Sequence, residues 1–226
     1  MKNWNVSENR ITRQSLLAAC STALAVGFTA SLPLPAHAAH VTPPPVPAAI
    51  QVQSGNRAFL EGHAGGTQNY ICLPCPNPTT AAAQCPDASG FAWLLFTPEA
   101  TLFNDHDKQL TTHFFSPNPA ENGTIRATWQ DSRDSSIVWG GGATAATHAS
   151  DPDFVAEDAI AWLKLPMAGV QEGPTGGDTL TAVTFIQRLN TAGGLAPSDG
   201  CSQLTDVGAK AFVPYTADYF FYKAAE

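Results

Sequence analysis

Basic residues are scarce in this chain, which has 11 lysines and arginines against 19 aspartates and glutamates among its 226 residues. The formal net charge is −8 at pH 7. A surface of this sign repels the phosphates of nucleic acids and the head groups of anionic lipids. We therefore expect no nucleic-acid partner, and we interpret the acidity as a property that keeps the protein soluble.

The sequence also lacks the motifs of the common nucleophilic, metallopeptidase and nucleotide-binding sites. No serine stands in G-x-S-x-G or has a lysine three residues on, and neither H-E-x-x-H nor G-x-x-x-x-G-K occurs. The glycine-rich run at residues 173–178 has no following lysine, so it is typical of a tight turn. We expect no cofactor, and motifs alone identify no catalytic residue.

Long helices are a further absence that the composition predicts, because 18 glycines and 18 prolines interrupt the chain. Short runs rich in Thr, Val, Ile, Phe, Tyr and Trp alternate with turn residues, a pattern typical of antiparallel strands. The sequence thus predicts a mainly β protein. We expect a single antiparallel β-sandwich or barrel-like domain, with long Gly/Pro loops and at most one or two short helices.

A few local patterns predict particular turns and elements. Gly65-Gly66 and Pro98 indicate turns between separate strands. Asn122-Gly123 predicts a hairpin, because both residues tolerate positive φ. Residues 153–165 are the best helix candidate, although a strand limited to residues 160–165 is equally compatible with their imperfect apolar stripe.

The N-terminal segment has the features of a secretion signal. An apolar run at residues 16–34 follows Lys2, Arg10 and Arg13 and precedes an A-x-A motif at residues 36–38. We interpret residues 1–38 as a signal peptide, 39–48 as a Pro-rich lead-in and 49–226 as a single β-rich domain. The mature chain is then secreted or periplasmic, without stable membrane insertion. The alternative is a lipoprotein anchored through Cys20, which is disfavoured because only six residues separate Arg13 from this cysteine.

Four cysteines remain after the expected cleavage, and these are Cys72, Cys75, Cys85 and Cys201. An even number in an exported chain indicates disulfides. We favour a Cys72–Cys201 bond that closes the domain and a Cys75–Cys85 bond across the Pro-rich loop, although the sequence alone does not choose among the three pairings. A redox motif at Cys72 and Cys75 and a four-cysteine zinc site are weaker alternatives in an oxidising compartment.

Two histidines and two tryptophans are the remaining site candidates. His106 and His113 are candidate metal ligands, since a D-H-D sequence at residues 105–107 lies just before His113. The same histidines are candidates for acid–base chemistry with a nearby carboxylate. Trp93 and Trp129, with His113, are candidate ligand-binding residues because aromatic rings stack on sugars, although tryptophans in strands more often pack in cores.

Six blocks of the chain, in order, carry a family resemblance. They are the run at residues 63–72, P-E-A-T-L-F at 98–103, H-F-F at 113–115, A-T-W-Q-D at 127–131, the run at 186–201 and the closing segment at 214–222. Together they resemble the secreted bacterial and fungal proteins known as domain of unknown function 3455. The resemblance supports the pairing of Cys72 with Cys201, which the family usually shows, and it implies that Cys75 and Cys85 are an added pair. It supplies no catalytic residues.

These observations favour an exported, disulfide-bonded module that binds or supports other components of the cell envelope or exterior without catalysis. Candidate partners are a glycan or another envelope protein. Two alternatives stay open: a secreted hydrolase or lyase that uses His/carboxylate chemistry, and a metal-binding periplasmic protein.

Overall fold

The computed structural model describes residues 41–75, 90–143 and 145–225, which belong to one compact unit. The predicted signal peptide, the alternative lipid anchor at Cys20 and the predicted bonding partner Cys85 lie outside the described residues. Among the described residues, regular structure consists of strands and three short 3-10 helices. The strands are β1 Asn56–Pro74, β2 Phe91–Phe103, β3 Gln109–Asn118, β4 Thr124–Asp131, β5 Ile137–Gly140, β6 Thr147–Ala149, β7 Trp162–Gln171, β8 Phe185–Gly193 and β9 Lys210–Ala224. The 3-10 helices are Ala48–Ile50, Pro119–Glu121 and Leu204–Asp206.

The strands form a closed antiparallel barrel. The sheet order is β5-β4-β3-β2-β1-β9-β8-β7-β6, and an additional pairing of β5 with β7 closes a ring of eight strands. β6 lies outside that ring and pairs with the first residues of β7, while β5 pairs with the later ones. The mainly β class and the barrel alternative are therefore confirmed. Closure also removes the free edges that an open sheet would present.

The barrel strands are longer than the turn signals predicted, and β1 shows why. The predicted turn at Gly65-Gly66 is wrong, because both glycines lie inside β1 and pair with β2 and β9. A Cβ atom at Gly66 would lie 2.1 Å from the carbonyl oxygen of Glu99, so glycine permits a close approach of the two backbones. Pro98 likewise lies inside β2, opposite Gln68, and does not end the strand.

The other local predictions have mixed outcomes. β3 and β4 form the predicted hairpin, with Asn122 and Gly123 at φ of 55° and 82°. Of the two alternatives for residues 153–165, the helix does not form and the strand does, since β7 begins at Trp162. Trp162 packs outside the barrel against Phe154, whereas the next residue, Leu163, joins the interior cluster. This alternation requires the two-residue period of a strand.

Side chains on alternate strand positions fill the barrel interior. Trp129, Tyr219 and Phe221 are almost completely buried there, with ring centroids about 6 Å apart in tilted pairs. The remaining buried members are mostly aliphatic, namely Ala64, Ala100, Leu102, Val138, Ile160, Leu163, Leu165, Leu180, Val183, Ile186, Tyr215 and Ala217. Some members of this cluster, among them Trp129, Leu163 and Tyr219, also line the cavity described below.

A second apolar cluster covers the outer face of β8 and β9. Ile50, from the first 3-10 helix, packs with Leu189, Phe220 and Tyr222, and residues from 149 to 162 complete the cluster. Gln187 fixes this layer, because its amide nitrogen donates to the Ile50 carbonyl at 2.7 Å and its amide oxygen accepts a short bond from the Tyr222 hydroxyl. The chain that leads into β1 is thereby held against the barrel wall.

A disulfide ties the end of β1 to the loop before β9. Cys72 and Cys201 are bonded, with Cα atoms 5.5 Å apart, so this predicted pairing is confirmed. Backbone hydrogen bonds flank the cross-link, since Cys72 N–H donates to the Ala209 carbonyl and Gly208 N–H donates to the Cys72 carbonyl. Cys75 is also disulfide-bonded.

No helix in residues 41–75, 90–143 and 145–225 has the length and apolar character needed to cross a membrane.

Candidate functional site

A cavity of about 320 Å³ occupies part of the barrel interior. Its wall combines residues of seven barrel strands with the β5–β6 loop and with His148 of β6, and exposed members of the wall border solvent. The inward-facing side chains include those of Gln68, His113, Trp129, Leu163, Arg188 and Tyr219. A space of this size inside a closed barrel suits one small organic molecule.

His113 and Trp129 form one side of this cavity. The two residues lie opposite each other on β3 and β4, and their rings stack at 4.2 Å with an angle of 9° between the planes. His113 Nδ1 lies 2.9 Å from the Thr128 carbonyl oxygen, which can only accept, so Nδ1 carries the proton. Burial lowers the pKa of His113 to about 3, and the positive charge of Arg188 acts in the same direction. The imidazole is therefore neutral at physiological pH.

Two tyrosines contribute hydroxyl groups to the same interior. The hydroxyls of Tyr215 and Tyr219 lie 3.2 Å apart, and both side chains are buried. Burial raises the pKa of each phenol above its ordinary value. Both hydroxyls therefore stay protonated and act as hydrogen-bond donors as well as acceptors.

Arg188 brings a permanent positive charge to the cavity wall. Its Nη2 donates to the Ala161 carbonyl at 2.8 Å, and no ion pair joins Arg188 to a carboxylate among the described residues. The charge of Arg188 acts on the surrounding titratable groups. It adds to burial in lowering the pKa values of His113 and His148, and it offsets part of the burial that raises the pKa of Tyr219. A cation in a partly buried site without a counter-ion is costly unless a ligand or solvent compensates it.

Several N–H groups in the wall lack a hydrogen bond of good geometry among the described residues, although the side chains of Gln68 and Arg188 also interact with the hydroxyls of Tyr215 and Tyr219. They are Nε2 of Gln68, Nε1 of Trp129 and Nε of Arg188, and all three atoms are buried. A buried donor without a partner costs roughly 1–3 kcal/mol relative to a satisfied one. In native proteins, unsatisfied polar atoms of this kind are accounted for by ordered water, a bound ion, strain or a functional role.

The charge of the cavity wall is opposite to that of the whole chain. Two arginines and two histidines line the cavity. None of the described lining residues is an aspartate or a glutamate. One of the arginines is neutralised, because Arg126 forms two hydrogen bonds of 2.7 and 2.8 Å with the Glu121 carboxylate. Arg188 is left as the cation of the wall that no described carboxylate balances.

The structure brings together two of the candidate residues and separates the others. His113 and Trp129 meet in the cavity. Trp93 lies on β2 near the disulfide, where its indole N–H donates to the Asp199 carbonyl at 2.7 Å. His106 lies exposed in the β2–β3 turn, so it is not part of the barrel interior that holds His113.

Three polar cavity residues were missed by reasoning from the sequence, namely Gln68, Arg188 and Tyr219. The available signal was a polar side chain two residues away from an apolar one in the same strand. Arg188 follows Ile186 in this way on β8, and Tyr219 lies between Ala217 and Phe221 on β9. A polar residue at an inward position indicates that the barrel interior holds a polar cavity and is not filled by apolar side chains alone.

A second polar cluster lies on the outer wall of the barrel. His63 Nδ1 is 2.7 Å from Asp218, and its Nε2 is 2.8 Å from Asp105. Asn190 donates to the second oxygen of Asp218 at 2.7 Å. Since both carboxylates only accept, both ring nitrogens must donate, and the arrangement favours the charged imidazolium.

The same cluster is the only described group whose ligand atoms have metal-binding spacing. Atoms of Glu61, His63 and Asp218 lie within 4.8 Å of one another. Protons and hydrogen bonds already occupy both nitrogens of His63, so a metal ion would have to displace one of them. The geometry therefore supports an ion-paired histidine better than a metal centre.

We predict that Asp218→Asn lowers the pKa of His63. In the folded protein, the hydrogen bonds to Asp218 and Asp105 raise this pKa above the ordinary value of 6.5. The charged His63 therefore stabilises the folded protein. This contribution to the free energy of unfolding is complete below pH 6.5 and is lost as the pH rises through the folded-state pKa of His63. An NMR titration of the imidazole Cε1 protons measures the change.

Asp107→Asn is the matched control for this titration, since Asp107 lies in the same turn as Asp105 and makes no described contact with His63. It should leave the titration of His63 unchanged. An equal midpoint in the wild type and in the Asp218→Asn variant would contradict the ion-paired assignment.

Comparison with known proteins gave one match. Residues 53–223 match a family described as "Protein of unknown function (DUF3455)". No match was found among curated proteins or among solved structures.

Proposed function

The chain belongs to the DUF3455 family, and from this premise we propose that it is an exported, disulfide-bonded, non-catalytic protein that binds a small organic molecule inside its barrel. The observation that carries the proposal is a cavity of about 320 Å³ whose buried wall holds hydrogen-bond donors without described partners. Binding sites for small molecules typically combine an apolar enclosure with a few such polar groups.

Export is part of the proposal and is supported by the cross-link. The Cys72–Cys201 bond is of the kind that persists in oxidising compartments. The A-x-A motif at residues 36–38 gives the expected cleavage site. The intact mass of protein recovered from the periplasm or medium would test both points, because the mature chain should begin at Ala39.

The contacts of His113 and His106 give little support to the hydrolase or lyase alternative. His113 is bonded to a backbone carbonyl, and no described contact joins either histidine to an aspartate or a glutamate through its ring. His63 has two carboxylate partners, but a general base needs a neutral nitrogen that can accept a proton, and both nitrogens donate there. A lumen that binds without catalysis accounts for more of the observed contacts.

We predict that 1-naphthoate, 1-naphthalenesulfonate or 1-naphthalenemethanol binds with one-to-one stoichiometry in isothermal titration calorimetry. Ala127→Phe should abolish the binding, because Ala127 lines the cavity from β4 and a phenyl ring there fills part of it. The three probes share one ring body, so any of them reports occupation of the same space.

Ala120→Phe is the matched control, since it adds the same ring at an exposed position of the β3–β4 connection. It should bind as the wild type does. Near-ultraviolet circular dichroism would verify that both variants are folded. If no probe binds, or if the two variants bind equally well, the barrel is not a small-molecule site.

A further inference from the structure

We propose that the barrel selects organic anions: small molecules with one anionic oxygen group, such as a carboxylate, on an apolar body of ring size. This inference rests on the proposed function and specifies the ligand class of the same cavity. Three properties of the cavity wall support it: its charge, its hydrogen-bond donors and its apolar side chains.

Charge is the first step. A chain with 19 acidic residues has none of them among the described residues that line this cavity. Arg126 is held by Glu121, whereas no described carboxylate pairs with Arg188. An anion that reaches the cavity supplies the missing counter-charge in surroundings where water screens it weakly.

Hydrogen-bonding polarity is the second step. The fully buried polar atoms of the wall that lack a partner among the described residues are all N–H groups, from an amide, an indole and a guanidinium. Each of these groups can only donate, and an anionic oxygen group offers several acceptor sites and no donor. A guanidinium also matches the planar shape of a carboxylate, which it can bind through two parallel bonds. Neutral sugars carry a hydroxyl donor beside almost every acceptor and therefore match this wall less well.

The apolar part of the wall defines the body of the ligand. Leu163 and Leu165 are buried in the barrel core, and Leu95 and Phe115 are half-buried beside them. The stacked rings of His113 and Trp129 add a flat surface. Together they favour a compact apolar or aromatic group attached to the anionic one.

The test compares probes of equal shape and different charge. 1-Naphthoate and 1-naphthalenesulfonate should bind the wild type roughly ten- to a hundredfold more tightly than neutral 1-naphthalenemethanol, because a hydrogen bond to a charged group adds that much discrimination. The two anions distinguish a planar carboxylate from a tetrahedral group. Cationic 1-naphthylmethylamine should bind least.

Arg188→Met should abolish the preference for the anions and leave the neutral probe bound, since methionine keeps an apolar stem at that position. Arg188→Lys keeps the charge and should retain most of the preference. It also serves as the second variant if the loss of the Ala161 contact harms folding. Arg133→Met removes one positive charge at an exposed position of the β4–β5 turn and should bind as the wild type does.

The outcomes separate this inference from the proposed function. Equal affinity of the wild type for the neutral and anionic probes would overturn the anion selectivity, while the lumenal binding would stand. An anion preference that persists in Arg188→Met would overturn the role of Arg188. Failure of every probe to bind would overturn the proposed function itself.

Discussion

Replacing Cys72 and Cys201 together by alanine is expected to lower the free energy of unfolding by about 5 kcal/mol in the chain-entropy description of disulfides. The size follows from the length of the closed loop, since the two cysteines are 129 residues apart in sequence. A cross-link over so long a segment removes many conformations from the unfolded chain. Alanine is preferred to serine because Cys72 is fully buried and a hydroxyl there would need a partner. Urea unfolding at pH 7 under oxidising conditions measures the effect.

The single variants Cys72→Ala and Cys201→Ala are the controls for this experiment. Each removes the same cross-link, so each should lose nearly as much stability as the double variant. If Cys72→Ala loses much more stability than Cys201→Ala, the extra loss comes from packing at the buried end of β1. A loss below about 1 kcal/mol in the double variant would contradict the prediction, and it would mean that the backbone bonds of Cys72 to residues 208 and 209 suffice.

The second large effect is a loss of free energy of unfolding at acid pH, and it originates at His113. Burial holds its folded-state pKa at about 3, against an ordinary value of 6.5. Between these pH values the unfolded chain binds a proton and the folded one does not, so the free energy of unfolding falls as the pH falls from 6.5 towards 3. At pH 4 this residue alone should remove about 3 kcal/mol relative to pH 7.

Variants at His113 isolate this contribution from that of the carboxylates. Glu121, Asp134 and Asp206 have lowered pKa values and also destabilise the fold in acid, so only a difference between proteins is informative. His113→Gln and His113→Phe should each lose about 3 kcal/mol less than the wild type between pH 7 and pH 4. Urea unfolding at both pH values gives the comparison.

His106→Gln is the control, because it removes an exposed histidine outside the barrel interior. Its loss of stability in acid should equal that of the wild type. Equal losses in the wild type and in both His113 variants would contradict the burial of a neutral imidazole in the lumen.

The fold class was accessible from the sequence because it depends on local properties. Alternation of apolar and polar residues and the scarcity of uninterrupted helical segments predict antiparallel strands wherever they occur. Closure of the barrel was not accessible in the same way. It depends on the pairing of Ile137–Gly140 with the second half of β7. Neither segment has a sequence pattern that identifies the other as its pairing partner.

Glycine and proline misled the prediction of strand ends. At Gly66 the residue is needed because two backbones approach closely, and the same residue type at Asn122-Gly123 supports a turn. The sequence contains the glycine in both cases but not the neighbouring strand that distinguishes them.

The candidate site was only half visible for a related reason. His113 and Trp129 attract attention by residue type alone. The inward direction of Gln68 depends on the register of β1, which shifts at bulges between Ala58 and Leu60 and between Asn69 and Tyr70. A bulge reverses the face of every residue beyond it, so alternation counted along the sequence does not assign these side chains.

The pairing of β1 with β9 joins the first strand of the barrel to the last one. This ladder joins Asn56 with Ala224 and Ile71 with Lys210. The pairing of β1 is therefore incomplete until β9 is present. Hairpins such as β3–β4 can form early from local contacts, but closure requires contacts between distant parts of the chain, which is slow. Until β9 arrives, β1 and β8 each present an unpaired edge that another chain can join. Folding from a complete chain, rather than progressively from the N-terminus, is the route that this topology favours.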